Sequence, residues 1–185
     1  MTKNYPHGLC IAKWHIGTPS CNEPSCRYAA ASVMLNSSMM WITGGRRWEV
    51  GGWWQLDGSE YVTLGKTTPG PKLPYTLAYH CALKLNDKDI YFIGGFAGYS
   101  NWFSNRVFVH KLSDGVEYNW PYTEVKPMTN ARMSHACAVM SNNEKKYIVV
   151  AGGENDGPLN TVEIYDPLSD AWESGKHIYQ KQTIF

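Results

Sequence analysis

Short apolar runs broken by turn residues fill this chain, and three of the runs end on the same signal. Trp41-Ile42-Thr43 leads into Gly44-Gly45, Tyr91-Phe92-Ile93 into Gly94-Gly95, and Tyr147-Ile148-Val149-Val150-Ala151 into Gly152-Gly153. A second short strand candidate precedes each run. The glycine pairs recur at intervals of 50 and 58 residues, and a period of that size marks a repeat architecture. No 12-residue stretch carries apolar residues at helical spacing behind a cap. β-Branched and aromatic runs separated by Gly, Pro, Asn, Asp and Ser predict an all-β chain with many tight turns.

The third copy predicts four strands. Residues 136–140 read as the first, 141–146 as a polar hairpin turn, and 147–151 as a second strand whose unbroken apolar run predicts burial on both faces. Residues 161–165 alternate as a third strand, and Ala171-Trp172-Glu173 opens a fourth. Four strands in about 48 residues make one propeller blade. The second copy repeats this order at 79–83, 89–93 and 106–110, with His110 in the place of Tyr165 and Trp120 near the place of Trp172. The first copy offers 32–35, 39–43 and 60–62. A blade is a wedge that cannot bury both faces alone. Glycines admit close backbone approach, and a large aromatic such as Trp172 fills the widening gap between wedges. Gly44, Gly45, Gly94, Gly95, Trp120, Gly152, Gly153, Tyr165 and Trp172 therefore read as structural.

Together these elements resemble the kelch-repeat β-propeller family. The resemblance rests on the double glycines, on Tyr165 followed seven residues later by Trp172, and on the lead-in Pro127-Met128, Arg132 and His135. It covers residues 27–175. Leu77 replaces the lead-in Arg in the second copy, and the first lacks the Tyr/Trp pair. The resemblance implies about three four-stranded kelch-type blades: repeat 1 at 27–76, repeat 2 at 77–130 and repeat 3 at 131–176. Residues 1–26 would hold the last strand of a preceding blade around Trp14, and 177–185 a tail. Closed propellers have four to eight blades, so three make an incomplete one. The expectation is a piece of a longer propeller, or a chain that associates to close.

Seventeen basic against 16 acidic residues leave a net charge of +1, which offers no footprint for nucleic acid or an anionic membrane. No apolar run approaches the roughly 18 residues of a membrane span, and the start lacks the apolar stretch of a signal peptide. The expected location is cytoplasmic, or secreted if a leader is missing; Asn36-Ser37-Ser38 is a glycosylation sequon.

The five cysteines are too sparse for a disulfide scaffold. Cys10 with His15 and Cys21 with Cys26 have zinc-like spacing, but Cys21 and Cys26 equally fit a small disulfide loop, or two free thiols. His80-Cys81 and His135-Ala136-Cys137 take corresponding places in two copies, which argues for packing, with each Cys as a small apolar residue. No metal or cofactor is expected. Kelch-like propellers are also similar to copper radical oxidases such as galactose oxidase and to sialic acid isomerases, but no local motif here selects a ligand set.

The segments after the glycine pairs are expected on one face, and they are aromatic and basic: Arg46-Arg47-Trp48, Trp53-Trp54, Phe96, Tyr99 and Trp102. Such residues anchor protein interfaces. The resemblance adds the lead-in Arg27 and Arg132 as candidates to grip an acidic peptide, against a structural bond to nearby carbonyls. The reading is a non-enzymatic module that binds a protein or peptide through blade-connecting loops. Its rivals are a fragment of a propeller enzyme and a secreted or cell-surface recognition domain.

Overall fold

The computed structural model describes residues 27–49, 52–55, 57–98, 102–112 and 122–178, with the backbone alone for 48–49 and 52–55. Residues 1–26, Tyr99, Trp120 and residues 179–185 lie outside the described residues. No helix occurs among those described. The apolar runs form β1 (Ala31–Asn36), β2 (Met39–Thr43), β3 (Arg46–Glu49), β4 (Gly52–Gln55), β5 (Ser59–Thr63), β6 (Lys66–Pro69) and β7 (Cys81–Lys84). They continue as β8 (Asp89–Ile93), β9 (Val107–Lys111), β10 (Tyr122–Val125), β11 (Ala136–Asn142), β12 (Lys145–Ala151), β13 (Val162–Asp166) and β14 (Ala171–Ser174). Three four-stranded antiparallel sheets result: β1-β2-β5-β6, β7-β8-β9-β10 and β11-β12-β13-β14. Each has the four-stranded order of one propeller blade.

The register is common to the three. Met40 pairs with Val62, Ile90 with His110 and Ile148 with Tyr165. Side chains alternate across a strand, so each blade presents one face to its predecessor and the other to its successor. Leu83, Tyr91, Ile93, Val107 and Val109 of blade 2 meet Ile148, Val150 and Tyr165 of blade 3 in one core. Val33 and Trp41 of blade 1 meet Ile90, Phe92 and Phe108 of blade 2 in the other.

Four sequence expectations need correction. The turn in blade 3 is two residues, not six: Asn143 and Glu144 both have positive φ (48° and 67°), the pairing that suits a hairpin's twist, so the polar flanks join β11 and β12 instead. The run 147–151 is buried on one face only, with Ile148 and Val150 covered and Tyr147, Val149 and Ala151 half-exposed. Residues 46–49 and 52–55 pair as the antiparallel strands β3 and β4 rather than forming a loop. The partner of His110 in the outer strand is Tyr122, the position Trp172 holds opposite Tyr165.

Blade-to-blade contact begins at the inner strand ends. Gly45 N–H donates to the carbonyl of Leu77 at 2.7 Å, and Gly95 N–H to that of Arg132 at 2.8 Å. Gly94 has φ +59°, and a Cβ there would stand 2.7 Å from the Arg132 oxygen, so only glycine lets the blades meet. One step away, Ala29, Tyr79 and Ser134 all adopt positive φ (56°, 55° and 52°). Tyr79 N–H donates to Ala29 O, and Ser134 N–H to Tyr79 O, at 2.9 and 3.0 Å. A left-handed residue costs about 1–2 kcal/mol, and here the turns at Tyr79 and Ser134 each aim an amide at the preceding blade.

The first strands of blades 2 and 3 are also covalently joined. Cys81 and Cys137 form a disulfide with their Cα atoms 6.2 Å apart, which corrects the free-thiol reading. The two cysteines differ by one register position: Cys81 corresponds to Ala136, and Cys137 to Ala82. That offset places them on opposite strand faces, so they face each other across the gap.

His80 and His135 fill the notch beneath the first glycine of the preceding blade. His80 Nε2 lies 2.9 Å from Thr43 Oγ1, and the His135 ring packs against Gly94. Burial pushes both imidazoles down to about 3. An unfolded histidine takes up its proton near pH 6.5. Between that pH and about 3 the unfolded chain binds the extra protons, so stability falls as pH drops through this window. We expect up to about 1.4 kcal/mol lost per pH unit per histidine. Urea unfolding at pH 7 and pH 5 measures it; equal midpoints would mean that the rings are charged in the folded chain.

Candidate interaction face

The lead-in arginines are architectural. Arg132 is fully buried, and its guanidinium donates to Gly152 O (2.8 Å), Thr161 O (3.2 Å), Thr161 Oγ1 (3.0 Å) and Glu163 Oε1 (2.6 Å). Arg27 repeats the wiring in blade 1, donating to Gly44 O and Gly58 O at 2.9 and 3.0 Å and pairing with Glu60. Burial raises the Glu163 carboxyl, but hydrogen bonds from the Thr129 and Asn130 amides, the Asn130 side chain and Arg132 outweigh it and hold it below the usual range. Neither arginine is placed to grip a peptide, because the terminal nitrogens of each guanidinium are held by carbonyls and a carboxylate of its own blade. Glu60 and Glu163 sit at one register position in β5 and β13. Their recurrence behind an arginine was a sequence signal for this bond that went unread.

Blade 2 replaces the pair with hydrocarbon. Leu77 stands at the arginine position and Phe108 at the glutamate position, and both are buried in one cluster. A buried ion pair and a well-packed apolar pair can be near equals in stability, so one socket accepts either filling.

At the glycine end of the blades a different set gathers. Arg46, Phe96 and Glu154 follow the three glycine pairs, bridged to Tyr28, Ala78 and Met133 of their own blades. The Arg46 guanidinium lies 5.4 Å from the Phe96 ring centroid and 6.0 Å from that of Tyr28, within cation–π range. It also donates to Tyr28 Oη at 3.3 Å. Tyr28 and Tyr79 meet edge to face at 5.7 Å and share a short hydroxyl–hydroxyl bond. Burial, with that bond second, pushes the Tyr79 phenol up to about 12. Trp102 stacks edge-on against Phe96 at 5.7 Å and remains 55% exposed. The structure thus joins Arg46 and Trp102 in one patch across blades 1 and 2. Arg47 is half-buried on β3, and Trp48 follows it in the hairpin, its backbone opposite Trp53. Among the described residues, no three His, Cys, Asp or Glu side chains stand close enough to share a metal ion.

The structural residues of blade 3 form a chain of their own. Tyr165 and Trp172 pair across β13 and β14 with rings 5.0 Å apart. Tyr165 Oη donates to Asp170 at 2.7 Å, and Asp170 accepts the Lys126 amide at 2.9 Å. Trp172 Nε1 donates to Lys126 O at 2.8 Å, tying this blade to the segment that arrives from blade 2. Residues 132–176 match the family model of the Kelch motif. The chain carries a kelch repeat. The matched kelch span runs from the buried Arg132 past the Tyr165/Trp172 pair, and blades 1 and 2 repeat its four-stranded antiparallel order. No curated protein matches the chain.

Glu163→Ala would leave the Arg132 charge buried without its partner, and we expect a loss of about 3–5 kcal/mol in unfolding free energy. Arg132→Leu with Glu163→Phe rebuilds the blade 2 filling and should regain most of that loss in the same urea titration. A double variant as weak as the single one would show that the socket is not interchangeable.

Proposed function

We propose that this chain is a non-enzymatic protein-binding module whose contact surface is the patch built by Arg46, Tyr28, Tyr79, Phe96 and Trp102. The observation that carries it is the exposed Trp102 ring, braced on buried Phe96 beside a guanidinium held over two rings. Aromatic and Arg side chains on a rigid base are the usual energetic centres of interfaces. Their bracing lowers the ordering cost of binding. Blade-connecting segments supply the patch and packed sheets hold it, a division of labour common to binding loops on rigid scaffolds. The partner is a protein or peptide; the balanced charge argues against nucleic acid or a membrane surface.

A second reading, a secreted or cell-surface recognition domain, is favoured by one observation. The Cys81–Cys137 disulfide joins two blades, and stable disulfides belong to oxidising compartments. Alkylation of protein taken directly from cells, read by mass, separates the two: blocked Cys81 and Cys137 support this reading, and free thiols the cytoplasmic one.

The binding surface is tested with peptides selected from a displayed library on the purified chain. Trp102→Ala and Arg46→Ala should each weaken the selected peptides by about 30-fold, the mark of a hot spot. Leu168→Ala, an exposed residue on the far turn of blade 3, should leave affinity unchanged. Equal affinity for all three variants would remove the surface from consideration.

A further inference from the structure

One face of blade 3 lacks the cover that its counterparts have. Trp41 and Tyr91, at the register position of Val149, are 0% and 5% exposed because the next blade lies over them. Val149 is half-exposed, and around it lie Ala138, Met140, Tyr147, Val162 and Ile164 on the same side. A continuous apolar run is the pattern of a strand covered on both faces, yet β12 is covered on one.

The backbone shows what fits there. Gly45 and Gly95 each donate an amide to the lead-in carbonyl of the following blade, and Ala29 and Tyr79 each accept from its left-handed residue. At blade 3 the equivalent donor is Gly153 N–H and the equivalent acceptor is Ser134 O, and neither has a partner among the described residues. At the opposite end of the chain, blade 1 holds the complement: the Arg27 carbonyl and the Ala29 N–H, likewise without partners among the described residues. On that side blade 1 carries Met34, Met40 and Val62, with Met34 exposed and Met40 and Val62 half-buried, beside a buried Ile42. The small residues Ala151 and Ala30 take the places of the Thr43/His80 and Ile93/His135 contacts.

We propose that a second copy of this chain packs its first blade on the open face of blade 3, and that the reciprocal contact closes a two-fold ring. Gly153 N–H donates to the Arg27 carbonyl of the other copy, and Ala29 N–H of that copy donates to Ser134 O. The contact continues the pattern already present at two blade junctions. Two chains supply six blades, within the four to eight of closed propellers, and a head-to-tail contact that returns on itself makes a closed assembly rather than a fibre. The proposal is independent of the binding surface described above.

Light scattering across a concentration series decides the matter, with circular dichroism on the same samples. The chain should give twice its 20.9 kDa mass. Val149→Lys, on the half-exposed face, should halve the mass while keeping the β spectrum. Adding Met40→Glu, at the blade 1 position equivalent to Ile90 and Ile148, should restore the doubled mass by charge pairing. Met40→Glu alone should again give the single-chain mass, which covers the case in which Val149→Lys fails to fold. A folded chain of single mass at tens of micromolar, a mass that grows without plateau, or a doubled mass unaffected by either variant would overturn the proposal.

Discussion

The close approach of one blade's inner strand end to the lead-in of the next is the contact on which this structure depends. At Gly45 and Gly95 the backbone amide reaches the neighbouring carbonyl within 2.8 Å, and at the glycine before each, Gly44 and Gly94, any side chain would collide with that carbonyl. The strained turns at Ala29, Tyr79 and Ser134 serve the same contact, since the Tyr79 and Ser134 amides each donate to the turn carbonyl of the preceding blade. Two backbone bonds at each junction set the spacing of the wedges. The apolar faces then fill what spacing remains, with Trp41 in one gap and Tyr91 against Tyr165 in the other.

Inside each blade, the same socket is filled by different chemistry. Arg27 with Glu60 and Arg132 with Glu163 tie the lead-in to the glycine strand and the third strand, whereas Leu77 with Phe108 does so by packing. The charged version fixes direction, because the planar guanidinium donates to several fixed acceptors at once. It also removes two arginines from the surface. At the glycine ends Arg46 stays half-buried and Trp102 exposed.

Covalent and titratable groups reinforce the junctions unequally. The disulfide joins blades 2 and 3, while blades 1 and 2 rely on the His80–Thr43 bond and the Lys84 ammonium reaching Leu35 O at 2.7 Å. A loop of 56 residues closed by a disulfide stabilises by about 4 kcal/mol in the chain-entropy account. The first junction is thus the softer one, and it is also the one that the Arg46, Tyr28 and Tyr79 cluster spans.

Much of the architecture was readable in the chain itself. The glycine pairs, the apolar runs before them and the Tyr165/Trp172 spacing determined the strands and the repeat, because backbone sterics and strand periodicity act within a few residues. Partnerships between distant residues were not readable in this way. Arg132 looks like a surface cation until Glu163, 31 residues on, is brought behind it. Cys81 and Cys137 look like repeated packing residues until strand alternation is applied across two blades. Trp120 stands nearer than Tyr122 to the expected aromatic position, yet register selects Tyr122. Local sequence determines which elements form; which side chains end as core, bridge or open face is decided by the packing of one wedge on the next, since burial is a property of neighbours that the chain supplies from 30 to 60 residues away.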